Sequence, residues 1–261
     1  MLLAIDIGNT NITLGVWNGR SWSQQWRLHT TPEVTIDELG LTLKSLLREF
    51  QLEGQVDRVA LCSVVPWLTA TFLGVVERYL GLPVLNLTHE METGIRLGYD
   101  NPAEVGADRI ANTVAAYSQF PGPSIIVDMG TATKFEVVTA AGLFMGGVIM
   151  PGLRLAADAL ASRAAQLRSV PLEAPPHLIG RNTIHAVQSG LILGYAAMVD
   201  AMITRLRQEH PDNGRYPITI IGTGGNINLI AAHTTGIAEI DPWLTLTGLR
   251  LVSDRLRKEM I

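Results

Sequence analysis

Short apolar runs alternate along this chain with longer segments whose apolar residues recur at helical spacing. Runs bounded by turn residues predict strands at 2–6, 12–17, 22–28, 59–64, 83–87, 124–128, 133–138, 142–150 and 218–222. Helical spacing predicts helices at 35–50, 66–80, after Gly106, and at 153–166, 182–207 and 243–258. The first helix begins with Thr35-x-x-Glu38, which is a capping box. The composition of residues 94–106 predicts a loop. Strands alternating with helices indicate an α/β fold.

One segment pattern occurs twice. Ala4-Ile-Asp-Ile-Gly-Asn-Thr10 and Ile126-Val-Asp-Met-Gly-Thr-Ala132 both read as an apolar strand ending in Asp-x-Gly, followed by a second strand. Asp6 and Asp128 stand 122 positions apart in a chain of 261 residues. A repeat at nearly half the chain length predicts two related lobes, which we place at 1–119 and 120–261.

Composition narrows the class of protein. The 20 basic and 24 acidic side chains give a net charge of −4, and charged residues make up only 17% of the chain. The mean hydropathy is +0.23. These values exclude a disordered chain and give no support to nucleic-acid binding.

The single cysteine, Cys62, excludes a disulfide within the chain and a zinc site built from cysteines. The first residues lack a basic segment, which argues against a signal peptide. Residues 59–76 carry no formal charge, but Ser63, Pro66 and Thr69 interrupt them, so they read as strand, turn and helix. We therefore expect a soluble, cytoplasmic protein that binds neither membrane nor nucleic acid.

The two Asp-x-Gly hairpins contain residues that could bind phosphate groups and a cation. A tight turn exposes backbone N–H groups, and with the hydroxyls of Thr10, Thr13 and Thr131 it could hold phosphate oxygens. The carboxylates of Asp6 and Asp128 could bind Mg²⁺ or another cation. Phosphoryl transfer needs this combination of positioning and charge neutralisation.

The alternative is ordinary hairpin-turn chemistry, which would be the better explanation of a single copy. Two copies, with Gly222-x-Gly224-Gly225 after a later strand, favour nucleotide binding. Two other phosphate-binding motifs are absent from the sequence. The chain has no Gly-Lys-Ser/Thr, which a P-loop requires, and Ile227 stands where a dinucleotide-binding fingerprint has its third glycine.

Nearly end to end, the chain resembles the type III pantothenate kinases of the acetate/sugar kinase, chaperone and actin superfamily. The order and spacing of several short blocks carry the resemblance. They are Asp6-Ile-Gly-Asn-Thr10 with Gly15, Gly106-Ala-Asp-Arg109, Asp128-Met-Gly-Thr-Ala-Thr133, Gly146-Gly-Val-Ile-Met-Pro-Gly152, Gly180-Arg-Asn-Thr183, Ser189-Gly190, Thr223-Gly-Gly225 and Asp241-Pro-Trp-Leu-Thr-Leu-Thr-Gly248.

The resemblance implies phosphorylation of pantothenate by ATP to 4′-phosphopantothenate, the first step of coenzyme A biosynthesis. It also implies two actin-like (ribonuclease H-like) lobes with mixed sheets, ATP with Mg²⁺ in the cleft between them, and Thr131 as an ATP contact. The remaining ATP-binding residues implied are Asp6, Ile7, Gly8, Asn9, Thr10, Asn11, Ile12 and Thr13.

For pantothenate, the resemblance implies Tyr99, Thr183 and the block Gly106, Ala107, Asp108 and Arg109 as contacts. It makes Asp108 the general base for the substrate hydroxyl. From the residues alone, an N-cap role for Asp108 is equally plausible.

Thr183 would act from the neighbouring subunit of a homodimer. Gly190 and Gly194, four residues apart, allow close helix approach, although burial within one subunit explains them as well.

The resemblance makes Asp128 the ligand of a monovalent cation, K⁺ or NH₄⁺. The chain departs from the family pattern nearby, with Lys134 and Glu136 where threonine and aspartate are common, and with Ala156 in place of a frequent serine. Lys134 could add a counter-charge near the phosphates or point into water.

Two other functions compete with this one. A regulatory or accessory protein could keep the fold and the ligand site and act through a partner, and measurable turnover would decide against it. A sugar or acetate kinase of the same superfamily is disfavoured by Gly106-Ala-Asp-Arg109, and a substrate panel would test it.

Overall fold

The computed structural model describes residues 1–163, 167 and 169–259. Its strands are β1 (Leu2–Ile7), β2 (Asn11–Trp17), β3 (Trp22–His29), β4 (Arg58–Ser63), β5 (Val84–Asn86), β6 (Arg96–Leu97), β7 (Ser124–Met129), β8 (Ala132–Val138), β9 (Leu143–Pro151), β10 (Thr219–Thr223) and β11 (Glu239–Ile240). Its α-helices are α1 (Ile36–Glu49), α2 (Pro66–Val75), α3 (Ala107–Gln119), α4 (Leu153–Arg163), α5 (Thr183–Gln188), α6 (Tyr195–Glu209), α7 (Ile227–Ala231) and α8 (Leu244–Glu259).

The chain divides into two compact units. The first contains Met1–Gly94, Asp100–Ala115 and the chain from Leu244 onwards, and the second contains Ile95–Tyr99 and Ala116–Trp243. The boundary predicted from the sequence, at 119/120, differs from this division mainly because it placed the last helix in the second lobe. In the structure α8 packs on β1, β2 and β4 and therefore belongs to the first unit.

The first unit is built on a five-stranded sheet in the order β3-β2-β1-β4-β5. Strand β1 runs antiparallel to β2 and parallel to β4, so the sheet is mixed. The predicted capping box is confirmed: the Thr35 hydroxyl accepts from the Glu38 N–H, and the Glu38 carboxylate accepts from the Thr35 N–H.

The second unit repeats this arrangement. Its sheet has the order β11-β10-β7-β8-β9-β6, so β7 to β11 stand in the relation of β1 to β5, with β6 added beside β9. Strand β7 starts 122 positions after β1, but β8 starts 121 positions after β2. The second hairpin is therefore one residue shorter, and the predicted repeat of two related lobes with mixed sheets is confirmed.

Each unit has its own apolar core. In the first, one face of β1 (Leu3, Ile5 and Ile7) packs with leucines of α1 and with Phe72 of α2. In the second, Ile125 and Val127 of β7 contribute to a core with α6 and α7. The buried, apolar β1 and β7 reflect sheets covered by helices on their faces.

Some elements differ from the sequence prediction. Short α7 and β11 were not predicted, and the predicted loop 94–106 contains β6 and the 3₁₀ turn Pro102–Glu104. The helix predicted at 153–166 is present to Arg163, and its last residues lie outside the described part of the chain.

Two helices are extended by π-helical turns. Helix α2 continues as Val76–Leu80, and Ser189–Gly194 joins α5 to α6. Within the described residues, the resulting Thr183–Glu209 is the one helix whose length and mean hydropathy of 1.5 would suit a membrane span, and 44% of its most apolar window is buried. A core helix of a soluble protein meets the same criterion, so this is weak evidence of a span.

Candidate active site

The β1–β2 hairpin forms the tight turn expected from Asp-x-Gly. Asp6 stands directly opposite Thr13 in the strand pairing, and the Gly8 N–H donates to the Asn11 carbonyl at 3.0 Å. Asn9 and Thr10 are exposed at the tip. An exposed turn of this kind can offer backbone N–H groups and a threonine hydroxyl to phosphate oxygens.

Thr30 stabilises the β1–β2 hairpin through two hydrogen bonds, and the sequence motifs did not indicate this role. Its hydroxyl donates to the Gly8 carbonyl at 2.6 Å, and its N–H donates to the Thr10 carbonyl at 3.0 Å. The pairing of Asn11 with His29 on the neighbouring strand brings residue 30 alongside the turn. The only sequence signal is a threonine two residues beyond the end of the predicted strand 22–28.

The carboxylate of Asp6 is held from the other side by β4. Cys62 pairs with Asp6 across the parallel strands, and its thiol lies 3.4 Å from Asp6 Oδ1 in donor geometry. Cys62 is fully buried. The single cysteine of the chain is thus a packing and weak hydrogen-bonding residue beside a candidate phosphate loop.

The block Gly106-Ala-Asp-Arg109 forms the start of α3. The Gly106 carbonyl accepts from the N–H groups of Arg109 at 3.0 Å and Ile110 at 3.2 Å, so Gly106 occupies the N-cap position. Asp108 lies in the first turn, and its Oδ1 accepts from the Arg109 N–H at 2.8 Å. The N-cap interpretation of Asp108 is therefore wrong, although the residue does sit at a helix start.

Gly106 also makes room for that carboxylate. A Cβ atom on Gly106 would lie 2.6 Å from Asp108 Oδ1 and 3.3 Å from Val64 Cγ1. Val64 in turn donates its N–H to the Ile7 carbonyl at 3.1 Å. Through Val64, the structure brings the β1–β2 hairpin and Asp108 to the same edge of the first sheet. Arg109 is buried, with 4% of its surface exposed.

The β7–β8 hairpin of the second unit has a different charge pattern. Its Gly130 N–H donates to the Ala132 carbonyl at 3.1 Å, and Thr131 is exposed at the tip. Lys134 stands directly opposite Asp128, and its Nζ lies 2.8 Å from Asp128 Oδ2. The equivalent position of the first hairpin holds the neutral Thr13.

Two glycines pack closely on this second hairpin. Gly224 has φ +90, and a Cβ there would lie 2.6 Å from Asp128 Oδ1 and 2.7 Å from the Met129 nitrogen. A Cβ on Gly152 would lie 2.0 Å from the Thr131 carbonyl oxygen. The glycine-rich turn after β10 thus adjoins Asp128, as expected for loops at the carboxyl ends of neighbouring parallel strands.

Tyr195 braces the same hairpin and was not found by sequence reasoning. Its hydroxyl hydrogen-bonds the Thr133 hydroxyl at 2.8 Å and donates to the Pro151 carbonyl, which ties β8 to the end of β9. Burial raises the pKa of Tyr195, and the hydrogen bond from Thr133 offsets part of that rise. Residue 195 lies 62 positions from residue 133, so no local pattern could indicate the contact.

The two outlying residues predicted to contact pantothenate, Tyr99 and Thr183, lie in different segments of the second unit. Tyr99 stacks on Phe144 with ring centroids 5.9 Å apart, and the absence of a Cβ on Gly146 leaves room for its ring. Thr183 begins α5 after the N-cap Asn182 and lines an apolar cavity of about 840 Å³.

Within the part of the chain that the structure describes, no group of three or more His, Cys, Asp or Glu side chains could hold a metal ion. A site of one carboxylate suits Mg²⁺ bound chiefly by substrate phosphates and water, which is its usual mode in kinases. Asp6 beside an exposed tight turn fits that requirement.

A family model and a curated relative both match this chain over most of its length. The family model for type III pantothenate kinase matches residues 2–205. A type III pantothenate kinase of Streptomyces avermitilis is 42% identical over 261 residues, covering 98% of this chain and 98% of the relative.

Solved structures extend the comparison to the fold. A Baf family transcriptional activator from Campylobacter jejuni matches with a TM-score of 0.59 at 18% identity, over 98% of this chain and 99% of that one. MreB5 of Spiroplasma citri bound to ADP matches with a TM-score of 0.57 at 12% identity, over 99% of this chain and 98% of that one. At such identities the likeness concerns the fold alone, and the predicted actin-like α/β fold is confirmed.

Proposed function

The chain belongs to the type III pantothenate kinase family, and from that premise we propose that it transfers the γ-phosphoryl group of ATP to the 4′-hydroxyl of pantothenate with Asp108 as general base. One observation carries the assignment of the base. Asp108 lies at the sheet edge that also holds the Asp6 hairpin, and the Arg109 N–H fixes its carboxylate. The product would enter coenzyme A biosynthesis, and we expect the reaction to take place in the cytoplasm.

In the proposed complex, the β1–β2 hairpin binds the ATP phosphates. The residues involved are those from Asp6 to Thr13, with Thr131 of the second hairpin as a further ATP contact. Bound Mg²⁺ would neutralise phosphate charge, and Asp6 would hold it. The Thr30 hydrogen bonds to Gly8 and Thr10 keep the turn in one shape, so little ordering remains for ATP to induce.

Pantothenate would be held by Gly106, Ala107, Arg109, Tyr99 and Thr183. As the 4′-oxygen forms its bond to the γ-phosphorus, the bond from that phosphorus to the β–γ bridging oxygen breaks and ADP leaves. Asp108 accepts the proton that the hydroxyl loses. The Arg109 N–H on Oδ1 supports this role because it keeps the carboxylate in one orientation.

An acceptor panel tests the proposed reaction. ADP release would be followed with ATP and Mg²⁺ in the presence of pantothenate, glucose, acetate or no acceptor. We expect turnover with pantothenate alone. Turnover with glucose or acetate instead would favour the related sugar or acetate kinases, and ADP release without any acceptor would indicate an ATPase.

We also propose that the chain forms a homodimer through the second unit. Large apolar side chains are exposed on α4, at the start of α5 and on the segment between them. They are Leu155, Leu160, Leu178, Ile179 and Ile184. Exposed large apolar side chains on neighbouring segments favour a protein interface, and Thr183 is the chain neighbour of Ile184.

The double variant Leu155→Asp, Ile184→Asp is expected to be monomeric, because a dimer would bury both carboxylates without partners. Its KM for pantothenate is expected to rise, since Thr183 would no longer reach a neighbouring subunit. Sedimentation velocity and initial rates measure the two effects. The matched control is Leu41→Asp, which changes a leucine 61% exposed on α1. A wild-type protein that sediments as a monomer would overturn the dimer.

A further inference from the structure

We propose that the Lys134 ammonium takes the place of the monovalent cation expected at Asp128, so that catalysis by this chain does not depend on K⁺ or NH₄⁺. The inference rests on the proposed kinase function and concerns the same site. The family resemblance implies a monovalent cation held by Asp128. The residues present do not fit that ion, because a covalently attached cation already contacts the carboxylate.

The strand register places the two side chains together. Lys134 on β8 is the direct cross-strand partner of Asp128 on β7, and Nζ lies 2.8 Å from Oδ2. This is the usual length of a charge-assisted hydrogen bond. A lysine ammonium carries the same charge as NH₄⁺ or K⁺ and, like NH₄⁺, donates hydrogen bonds to oxygen.

The ion pair between Lys134 and Asp128 is largely buried, which distinguishes it from a surface ion pair. The side chain of Lys134 is 14% exposed and that of Asp128 is 12% exposed. In such surroundings a second cation next to the ammonium would meet strong repulsion that water screens poorly. It would also have to compete for a carboxylate oxygen that Lys134 already occupies.

The neighbouring backbone restricts the site further. The other carboxylate oxygen, Asp128 Oδ1, faces Gly224, where even a Cβ atom would come within 2.6 Å. Asp128 is thus enclosed between the ammonium on one oxygen and the glycine turn on the other. Because Lys134 is part of the chain, its positive charge is present whatever the ionic composition of the medium.

The first hairpin provides an internal comparison. There the direct partner of the equivalent Asp6 is Thr13, which carries no charge. The pairing of a lysine with the aspartate therefore occurs in the second hairpin and not in the first. It is not a general property of the repeated Asp-x-Gly turn. Threonine, common in the family where Lys134 stands, is the natural replacement with which to restore an ion site.

The experiment compares the wild type with Lys134→Thr in buffers whose only monovalent cation is tetramethylammonium, followed by titration with KCl at constant ionic strength. We expect wild-type pantothenate-dependent turnover to be the same with and without K⁺. Without K⁺ the variant is expected to lose at least about 10²-fold in kcat, the lower end for removing one preorganised electrostatic group, and K⁺ should restore much of the loss. Lys44→Thr, which removes a lysine paired with Glu53 at the surface, is the matched control.

Thermal unfolding supplies a readout independent of activity. KCl is expected to raise the Tm of Lys134→Thr relative to tetramethylammonium chloride, and to leave the Tm of the wild type unchanged. Wild-type turnover that requires K⁺, or a K⁺-dependent Tm in the wild type, would overturn the proposal. An unaltered, K⁺-independent variant would do the same. If no acceptor supports turnover, the kinase function fails, and the thermal measurement still decides whether Lys134 excludes the ion.

Discussion

Replacing Asp108 by asparagine is expected to lower kcat for pantothenate phosphorylation by about 10²–10⁴-fold, the usual contribution of a positioned general base. The asparagine side chain keeps an oxygen that can accept the Arg109 N–H, which in the wild type lies 2.8 Å from Asp108 Oδ1. The start of α3 should therefore keep its shape, while the ability to accept the substrate proton is lost. Initial rates over a range of pantothenate concentrations would separate kcat from KM.

The control for this experiment is Asp57→Asn, which removes an exposed carboxylate paired with the N-terminal amine at 3.0 Å. Surface pairs of this kind contribute little to stability, so activity should be retained. ATP affinity and Tm of Asp108→Asn should also match the wild type. If Asp108→Asn keeps a kcat within a few-fold of the wild type, Asp108 is not the base.

Replacing Gly248 by alanine is expected to lower the free energy of unfolding by about 3 kcal/mol, at the upper end for overpacking. The new Cβ on α8 would lie 1.9 Å from the Ala111 carbonyl oxygen and 2.4 Å from its carbon. Both are backbone atoms of α3, so the two helices must move apart. The hydrogen bond from Thr245 to Asn112, 2.7 Å long, crosses the same contact and would be disturbed.

Urea unfolding of Gly248→Ala, compared with Gly190→Ala, measures this effect. Apart from its chain neighbours and the backbone of its own helix, a methyl group on Gly190 would meet no atom within 4 Å, and alanine is favoured over glycine in a helix by about 0.5–1 kcal/mol. The control should therefore unfold at the wild-type urea concentration or above it. Equal midpoints for the two variants would show that α3 and α8 are not packed as described.

Local patterns in the sequence were sufficient for most of the architecture. The Asp-x-Gly repeat predicted the two hairpins, and the register confirms them with loops that differ by one residue. The capping box at Thr35 and Glu38 was predicted to the residue, because it depends on neighbours three positions apart. Short α7 and β11 were missed since runs of five and two residues carry too little periodicity.

Contacts between distant parts of the chain could not be predicted in this way. Thr30 braces the first hairpin, and Tyr195 braces the second from an element 62 positions away. The position of Lys134 was also undecided from sequence, which allowed it to face phosphate or water. The register decides this, because it sets Lys134 opposite Asp128. The roles of the individual site residues in binding remain predictions.

The decisive experiment on the proposed reaction is to identify the product of wild-type protein incubated with ATP, Mg²⁺ and pantothenate. Mass spectrometry and phosphorus NMR would show whether a phosphoryl group has moved and to which oxygen. We expect 4′-phosphopantothenate, formed in equal amount with ADP. Unchanged pantothenate and ATP, from folded protein that still binds ATP, would contradict the kinase function and favour an accessory protein that retains the fold without the reaction.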